Sequence, residues 1–329
     1  MHPAFSVIFL TTLIGAGQGL FMALVTGQVY SLANLLEPQD SVTFYAMGSF
    51  LAMVLLLLGL VAAVFHLGKP SYFLTRAWRG ITQWRTSWLS REVIVLPMFM
   101  GLVFLYTVVH FFGWTQPLFT IAETLPVDLS LLIGLLASIV AFALYVCTAM
   151  IYASLKFLKE WYTPLTVINY TFLGLASGFM LATAFAAWRG SELVDFYGGW
   201  AIVMTVIAFV TRSASLIRNG RLRHKSTVQS AIGIRHARIE QKAQGAMAGS
   251  FNTREFFHGA SPRKYRFVKW VFLALVFPVP LLLVTAGLAM QAFGLLLAAF
   301  LVQYLGLLAE RWFFFAEANH PQNLYYQTV

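Results

Sequence analysis

The stretch WVFLALVFPVPLLLVTAGLAMQAFGLLLAAFLVQYLGLLA, Trp270 to Ala309, runs 40 residues without an Asp, Glu, Lys or Arg. As one continuous α-helix it would be about 60 Å long, twice the hydrocarbon thickness of a bilayer. It is therefore expected to be two spans breaking near Gln291–Gly294, with Pro278 and Pro280 kinking the first of them. Charge-free windows of single-span length precede it. Met1–Leu36 holds a helix at about 5–33, and Ser41–Gly68 one at about 44–66. Val93–Ala122, Leu129–Leu155 and Trp161–Trp188 hold the next three, and Phe196–Thr211 continues past Arg212 as the sixth. Each charge at mid-membrane costs roughly 2.5–3.5 kcal/mol on the insertion scale, so such windows mark spans. The expected fold is all-α: a polytopic membrane protein of eight helices, residues 1–329 forming one integral membrane domain.

The composition agrees. The chain is 59% hydrophobic and only 10% charged, with a mean hydropathy of +0.75. A soluble domain carries about a quarter charged residues. The N-terminus has no basic segment before its apolar run, which is too long for a signal peptide and reads as a retained span. The single cysteine, Cys147, excludes a disulfide framework and any thiolate metal site or iron–sulfur cluster held by this chain alone. Within its apolar run it reads as a small buried residue.

Orientation follows from the basic residues. All but one of the 22 Lys and Arg fall on the side of the second, fourth and sixth connections and the C-terminal tail. The other side has Arg189 against Glu37, Asp40, Glu123, Asp128, Glu192 and Asp195. The positive-inside rule places the basic side, and with it both termini, in the cytoplasm. Residues 218–267 form the one sizeable extramembrane loop. Its charge suits either anionic lipid headgroups or a docked protein, and the adjacent bilayer leaves nucleic acid no role. Ser226–Gln244 could form a helix there.

Titratable groups at the membrane boundary are the functional candidates. His66 ends the second span in Phe65-His-Leu-Gly-Lys-Pro70, and Glu92 opens the third in Ser87-Trp-Leu-Ser-Arg-Glu92. One connection joins the two helices, so the side chains could line one cavity. An imidazole and a carboxylate suit a quinone: one hydrogen-bonds a ring oxygen, the other relays protons. Blander alternatives stand beside this, His66 as a snorkelling interface residue and Glu92 as a helix-start carboxylate paired with Arg91. Haem is not expected, because His110 lies about 27 Å along the third helix from Glu92, too far from His66 to share an iron. His110 reads as a packing or interface histidine. Gln18, mid-span in Gly15-Ala-Gly-Gln-Gly19, could reach a ligand or be satisfied by a neighbouring helix. Gly174-Leu-Ala-Ser-Gly178 reads as close helix packing. Glu310-Arg-Trp-Phe-Phe-Phe315 reads as an interfacial aromatic belt with an ion pair.

Phe65-His-Leu-Gly68, Ser87-Trp-Leu-Ser-Arg-Glu-Val93, Asn252-Thr-Arg-Glu-Phe-Phe-His258 and the Glu310-Arg-Trp tail, in this order, resemble the dimethyl sulfoxide reductase membrane-anchor family (DmsC-like) across essentially the whole chain. Within it, the opening His2–Leu10 looks most like the anchors of cytoplasm-facing sulfite dehydrogenases. The resemblance implies a haem-free anchor in a complex of three subunits. One partner would carry molybdopterin guanine dinucleotide, and a ferredoxin-like partner four [4Fe–4S] clusters. The anchor would supply the quinone pocket, for ubiquinone or menaquinone. The family's quinol-associated histidine and glutamate carry over to His66 and Glu92; Lys69, Ser90, Arg91 and Gln18 follow by proximity only. Arg76, Arg79, Arg85 and Arg254 are candidates for docking the iron–sulfur subunit. Exported reductases of the family hold their partners outside the cytoplasm, whereas the basic second connection here points inward, fitting a sulfite-oxidising complex. Rival readings are an anchor of a dimethyl sulfoxide or polysulfide reductase-type complex oxidising quinol, a purely structural anchor, and a secondary transporter. The last would need broken helices and a midplane ionisable site; mid-span, the sequence offers Gln18, Asn169 and Gln303.

Overall fold

The computed structural model describes residues 4–66, 81–121, 125–223, 228–236, 239 and 262–319. Eight helical segments in it are long and apolar enough to cross a membrane. They are α1 (Phe5–Leu32), α2 (Met47–His66, entered through a π-helical turn at Ser41–Ala46), α3 (Trp88–Phe111), α4 (Leu129–Ala153), α5 (Pro164–Arg189), α6 (Val194–Gly220), a seventh span made of α8 (Pro262–Val276) and α9 (Pro278–Ala289), and α10 (Phe293–Glu317). A short α7 (Val228–Ile232) lies between α6 and α8. It is all that the described residues show of the helix expected over Ser226–Gln244; the rest lies outside them or is non-helical.

The centre of the bundle is α1 and α5, with 78% and 72% of their most apolar windows buried, against 44% or less for every other span. Their contact rests on glycine. A Cβ at Gly19 would run into the Gly174 carbonyl and Gly178 Cα, and one at Gly178 into the Gly19 backbone. Only hydrogen at these positions lets two backbones approach so closely, which is how helices gain dispersion energy where lipid removes the hydrophobic drive. The Tyr145 hydroxyl donates to the Gly15 carbonyl at 2.9 Å, tying α4 to the same crossing. One turn deeper, Phe21 packs edge-on against Phe99 and Tyr106, with ring centroids 5.7 and 5.1 Å apart.

Polar side chains fix the helix starts. Asp40, Ser87 and Asp128 accept from the N–H groups of Thr43, Ser90 and Leu131 at 2.6, 3.3 and 2.7 Å. The Asp40 carboxyl is held below the usual carboxylate range chiefly by the Thr43 N–H. The seventh span breaks where its prolines fall: α8 ends at Val276 and α9 begins at Pro278. Pro280 has no N–H for the Val276 carbonyl four residues back, and the buried Gln303 amide donates to that carbonyl instead, at 3.2 Å. The turn to α10 passes through Gln291 at φ 49°, inside the break expected from window length.

Three expectations are corrected. A two-stranded antiparallel hairpin, β1 (Pro117–Ile121) with β2 (Leu125–Asp128), caps the α3–α4 connection and departs from an all-helical chain. Glu92 does not open the third span; α3 starts at Trp88, a full turn earlier, and carries no acid in its first turn. Phe313, Phe314 and Phe315 are buried rather than spread along a membrane interface. They pack around an ion cluster in which Glu310 pairs with Arg212 at 2.7 Å and Arg311 at 2.5 Å, with Glu317 3.7 Å from Arg212. Arg212 and Glu310 are almost wholly buried, and each compensates the charge of the other.

Candidate functional site

Moving the start of α3 back to Trp88 turns Glu92 inward. Its side chain is buried, 7% exposed, between α3 and α4. The Thr148 hydroxyl donates to Glu92 Oε1 at 2.5 Å. Both line a cleft that crosses α1 toward α5 and α10, reaching Gln18, Tyr170, Ser177 and Arg311. The void among these side chains is about 30 Å³, room for one or two waters and not for an aromatic ring. Glu92 stands on one wall. On another is Arg311, whose guanidinium lies over the Tyr170 ring at 4.0 Å, is anchored by Glu310 through Nε, and leaves Nη1 without a partner among the described residues. A carboxyl, hydroxyls and a guanidinium around a water-sized void can hold water and move protons within a bilayer-embedded bundle.

The sequence candidates separate clearly. Gln18 and Glu92 line the same cleft. Gln18 is also satisfied by a neighbouring helix, its amide donating to the Ala141 carbonyl at 2.9 Å. Ser90 is buried at the start of α3 but does not line the cleft. Arg91 does not pair with Glu92 as one reading of the sequence allowed. It turns to the loop side, donating to the Trp84 and Arg85 carbonyls at 2.8 and 2.9 Å and stacking over Trp88 at 4.0 Å. Successive helical residues are separated by about 100°, so the neighbour of an inward-facing Glu points elsewhere. His66 is the last residue of α2, at the same end of the bundle as Glu92; its side chain lies outside the described residues, as does Lys69 altogether. Arg85 is exposed beside Trp84, whereas Arg76, Arg79 and Arg254 lie outside the described residues.

Sequence reasoning missed Thr148, Tyr170 and the inward role of Arg311. A threonine in an apolar run carries no signal, and Tyr170 reads like any aromatic. Arg311 was visible in Glu310-Arg-Trp, but its neighbours on α5 and α6 are more than 90 residues away in sequence. His110 packs as expected, 2% exposed against Tyr45 and Tyr106. No group of three or more His, Cys, Asp or Glu able to hold a metal occurs among the described residues.

Eight apolar spans around a glycine-packed centre, with a polar cleft reaching from near one end to mid-span, define a multi-pass membrane protein. The family model for the DMSO reductase anchor subunit (DmsC) matches residues 1–317, and the chain belongs to that family of membrane anchors. Over 329 residues, covering all of both chains, it is 60% identical to a sulfite dehydrogenase subunit from Allochromatium vinosum.

Proposed function

We propose that this chain is the quinone-reactive anchor of a molybdenum/iron–sulfur oxidoreductase in the bacterial inner membrane, passing electrons from sulfite oxidation to ubiquinone or menaquinone. The observation that carries the reading is Glu92: a buried carboxyl, bonded to Thr148, on the wall of a water-sized cleft in an anchor of this family. The name of the 60%-identical relative supports sulfite as the substrate of the assembled complex. On this reading the partners are a catalytic subunit with molybdopterin and a four-cluster iron–sulfur subunit. They dock on the cytoplasmic face, where nearly all the Lys and Arg fall, with Arg85 among the docking residues.

A bound quinone supplies two-electron, two-proton redox chemistry. The donor set suits it, since Glu92 can exchange a proton and Thr148 holds that carboxyl in one position. The cleft itself does not admit a ring, so the ring belongs on the loop side of Glu92, toward the end of α2 and His66. Glu92 then stands between ring and cleft, where its carboxyl can pass a proton to the ring, and the cleft behind it has room for one or two waters. His66 would contribute the hydrogen bond to a ring oxygen. Exclusion of bulk water follows from the apolar packing around the cleft.

The test is Glu92→Gln and His66→Ala in the assembled complex. Each is expected to lower quinone-coupled sulfite oxidation at least about tenfold, as loss of a proton-transfer group does. Sulfite oxidation with a water-soluble electron acceptor should be unchanged. Full quinone-coupled turnover in both variants would remove the site from this anchor.

A further inference from the structure

At the end of the bundle opposite Glu92, an apolar groove of about 320 Å³ opens between α2, α5 and α10. Its floor is α5, where Leu181, Ala184 and Phe185 are buried. Its rim is Phe50, Trp188 and Phe293, each at least 40% exposed. Helix direction sets its axis. Met47 and Phe293 open α2 and α10, and Trp188 is next to last in α5, so all three stand at one level. Val54, Leu181 and Leu297 line the inner end. The interval from Met47 to Val54, or from Trp188 to Leu181, is about 10 Å of helix. The groove therefore runs from the membrane boundary toward the bilayer centre, along the helices.

One cation stands at its mouth. The Arg189 guanidinium lies 5.4 Å from the Trp188 ring centroid. Arg189 is the one Lys or Arg at this end, among Glu37, Asp40, Glu123, Asp128, Glu192 and Asp195. Topology disfavours a basic residue there. The C-terminal dipole of α5 favours a cation at this position but leaves its donors unfilled. Among the described residues the guanidinium has no hydrogen bond and no ion pair; Asp40 only feels its charge. Nε is covered by protein without a partner, and the two Nη groups remain for a ligand.

We propose that the groove and Arg189 bind one glycerophospholipid, with an acyl chain in the groove and the phosphate on the Arg189 Nη groups. Volume favours a single chain over a helix from another protein. About 10 Å of helix, about 10 Å across, fills roughly 800 Å³. At about 30 Å³ for each water-sized group, 320 Å³ holds roughly ten methylenes. Charge favours a phospholipid over a quinone, whose tail could fill the groove but which has no anion for Arg189. Guanidinium–phosphate bonds are charge-assisted and can be bidentate. Trp188 then sits at headgroup level, where indole rings concentrate. The site is independent of the quinone reading.

The experiment titrates the detergent-purified, delipidated complex with dioctanoyl phosphatidylethanolamine and counts bound lipid by native mass spectrometry. This headgroup adds no net charge beside the surrounding acids. One adduct should saturate. Dioctanoylglycerol has the same chains without the phosphate, and glycerol 3-phosphate the phosphate without a chain. Each should bind at least about tenfold more weakly. Arg189→Gln, which removes the charge, and Ala184→Leu, which fills the floor, should each weaken the adduct by a similar factor. No saturable adduct on the unaltered complex, or equal binding of dioctanoylglycerol, overturns the proposal, and neither result requires a variant to fold. Unaltered affinity in either variant also overturns it. Displacement of the adduct by an equal concentration of decylubiquinone would assign the groove to a quinone tail and overturn it as well.

Discussion

Among single side chains, the decisive feature of Glu92 is where α3 begins. Four residues of helix precede it, so it reaches the cleft instead of capping a helix, and Thr148 is its only described hydrogen-bond partner. Thr148→Val keeps shape and removes the hydroxyl. It should lower quinone-coupled turnover less than Glu92→Gln does, about threefold to tenfold, since it loosens the carboxyl without deleting it. Steady-state assay of the two variants in membranes checks the order; Thr148→Val at full rate would show that the bond has no part in turnover. Glu92 was legible in the sequence because acids at a membrane boundary are rare. Thr148 was not, because hydroxyl side chains occur throughout apolar helices, and the inward turn of Glu92 depends on a helix start that the charge-free window beginning at Val93 concealed.

Helices and their breaks were read mostly from what lipid forbids. Windows without charge gave all eight spans, and the length of the last window gave its division near Gln291. The β-hairpin was not legible, since its strands are only five and four residues long and each contains a proline, Pro117 and Pro126. Nor was the Arg212–Glu310 pair, whose partners share no local pattern. Two predictions belong to the helices. Gln303→Leu removes the donor that replaces the missing Pro280 N–H, leaving the Val276 carbonyl unpaired. It should cost about 1–3 kcal/mol, read as a lower unfolding temperature in detergent. Glu310→Ala strands the buried Arg311 guanidinium and leaves Arg212 only the longer Glu317 contact, and should cost about 3–5 kcal/mol, enough to reduce the amount of folded protein in membranes. Either variant at unaltered stability would mean that water or lipid satisfies these groups.

Considered as a single body, the bundle holds two polar regions with a dry partition between them. The Glu92 cleft reaches inward to Gln18. From the other end, Asp128, Ser130, Gln28 and Tyr106 form a hydrogen-bonded chain. Ten residues of α1, about 15 Å, separate Gln18 from Gln28. Leu20, Phe21, Leu24, Phe99, Val103 and Leu144 fill that interval, each with no exposed surface. Among the described residues, these apolar side chains offer protons no polar path across that interval. If sulfite oxidation and quinone reduction share the cytoplasmic side, purified complex in sealed vesicles should turn over without generating a membrane potential. A sustained potential would require a path through this partition.

Everything proposed for electron transfer requires the quinone ring to meet the bundle at the Glu92 end. Photo-crosslinking of the complex in membranes with an azido-substituted short-tailed quinone, followed by peptide mapping, tests this most directly. Label is expected on the peptides that carry His66 and Glu92, and it should be lost in competition with unmodified quinone. Competable label confined to the opposite end, on the peptides of Tyr45 and His110 or on the apolar groove of Phe50, Trp188 and Phe293, would contradict it.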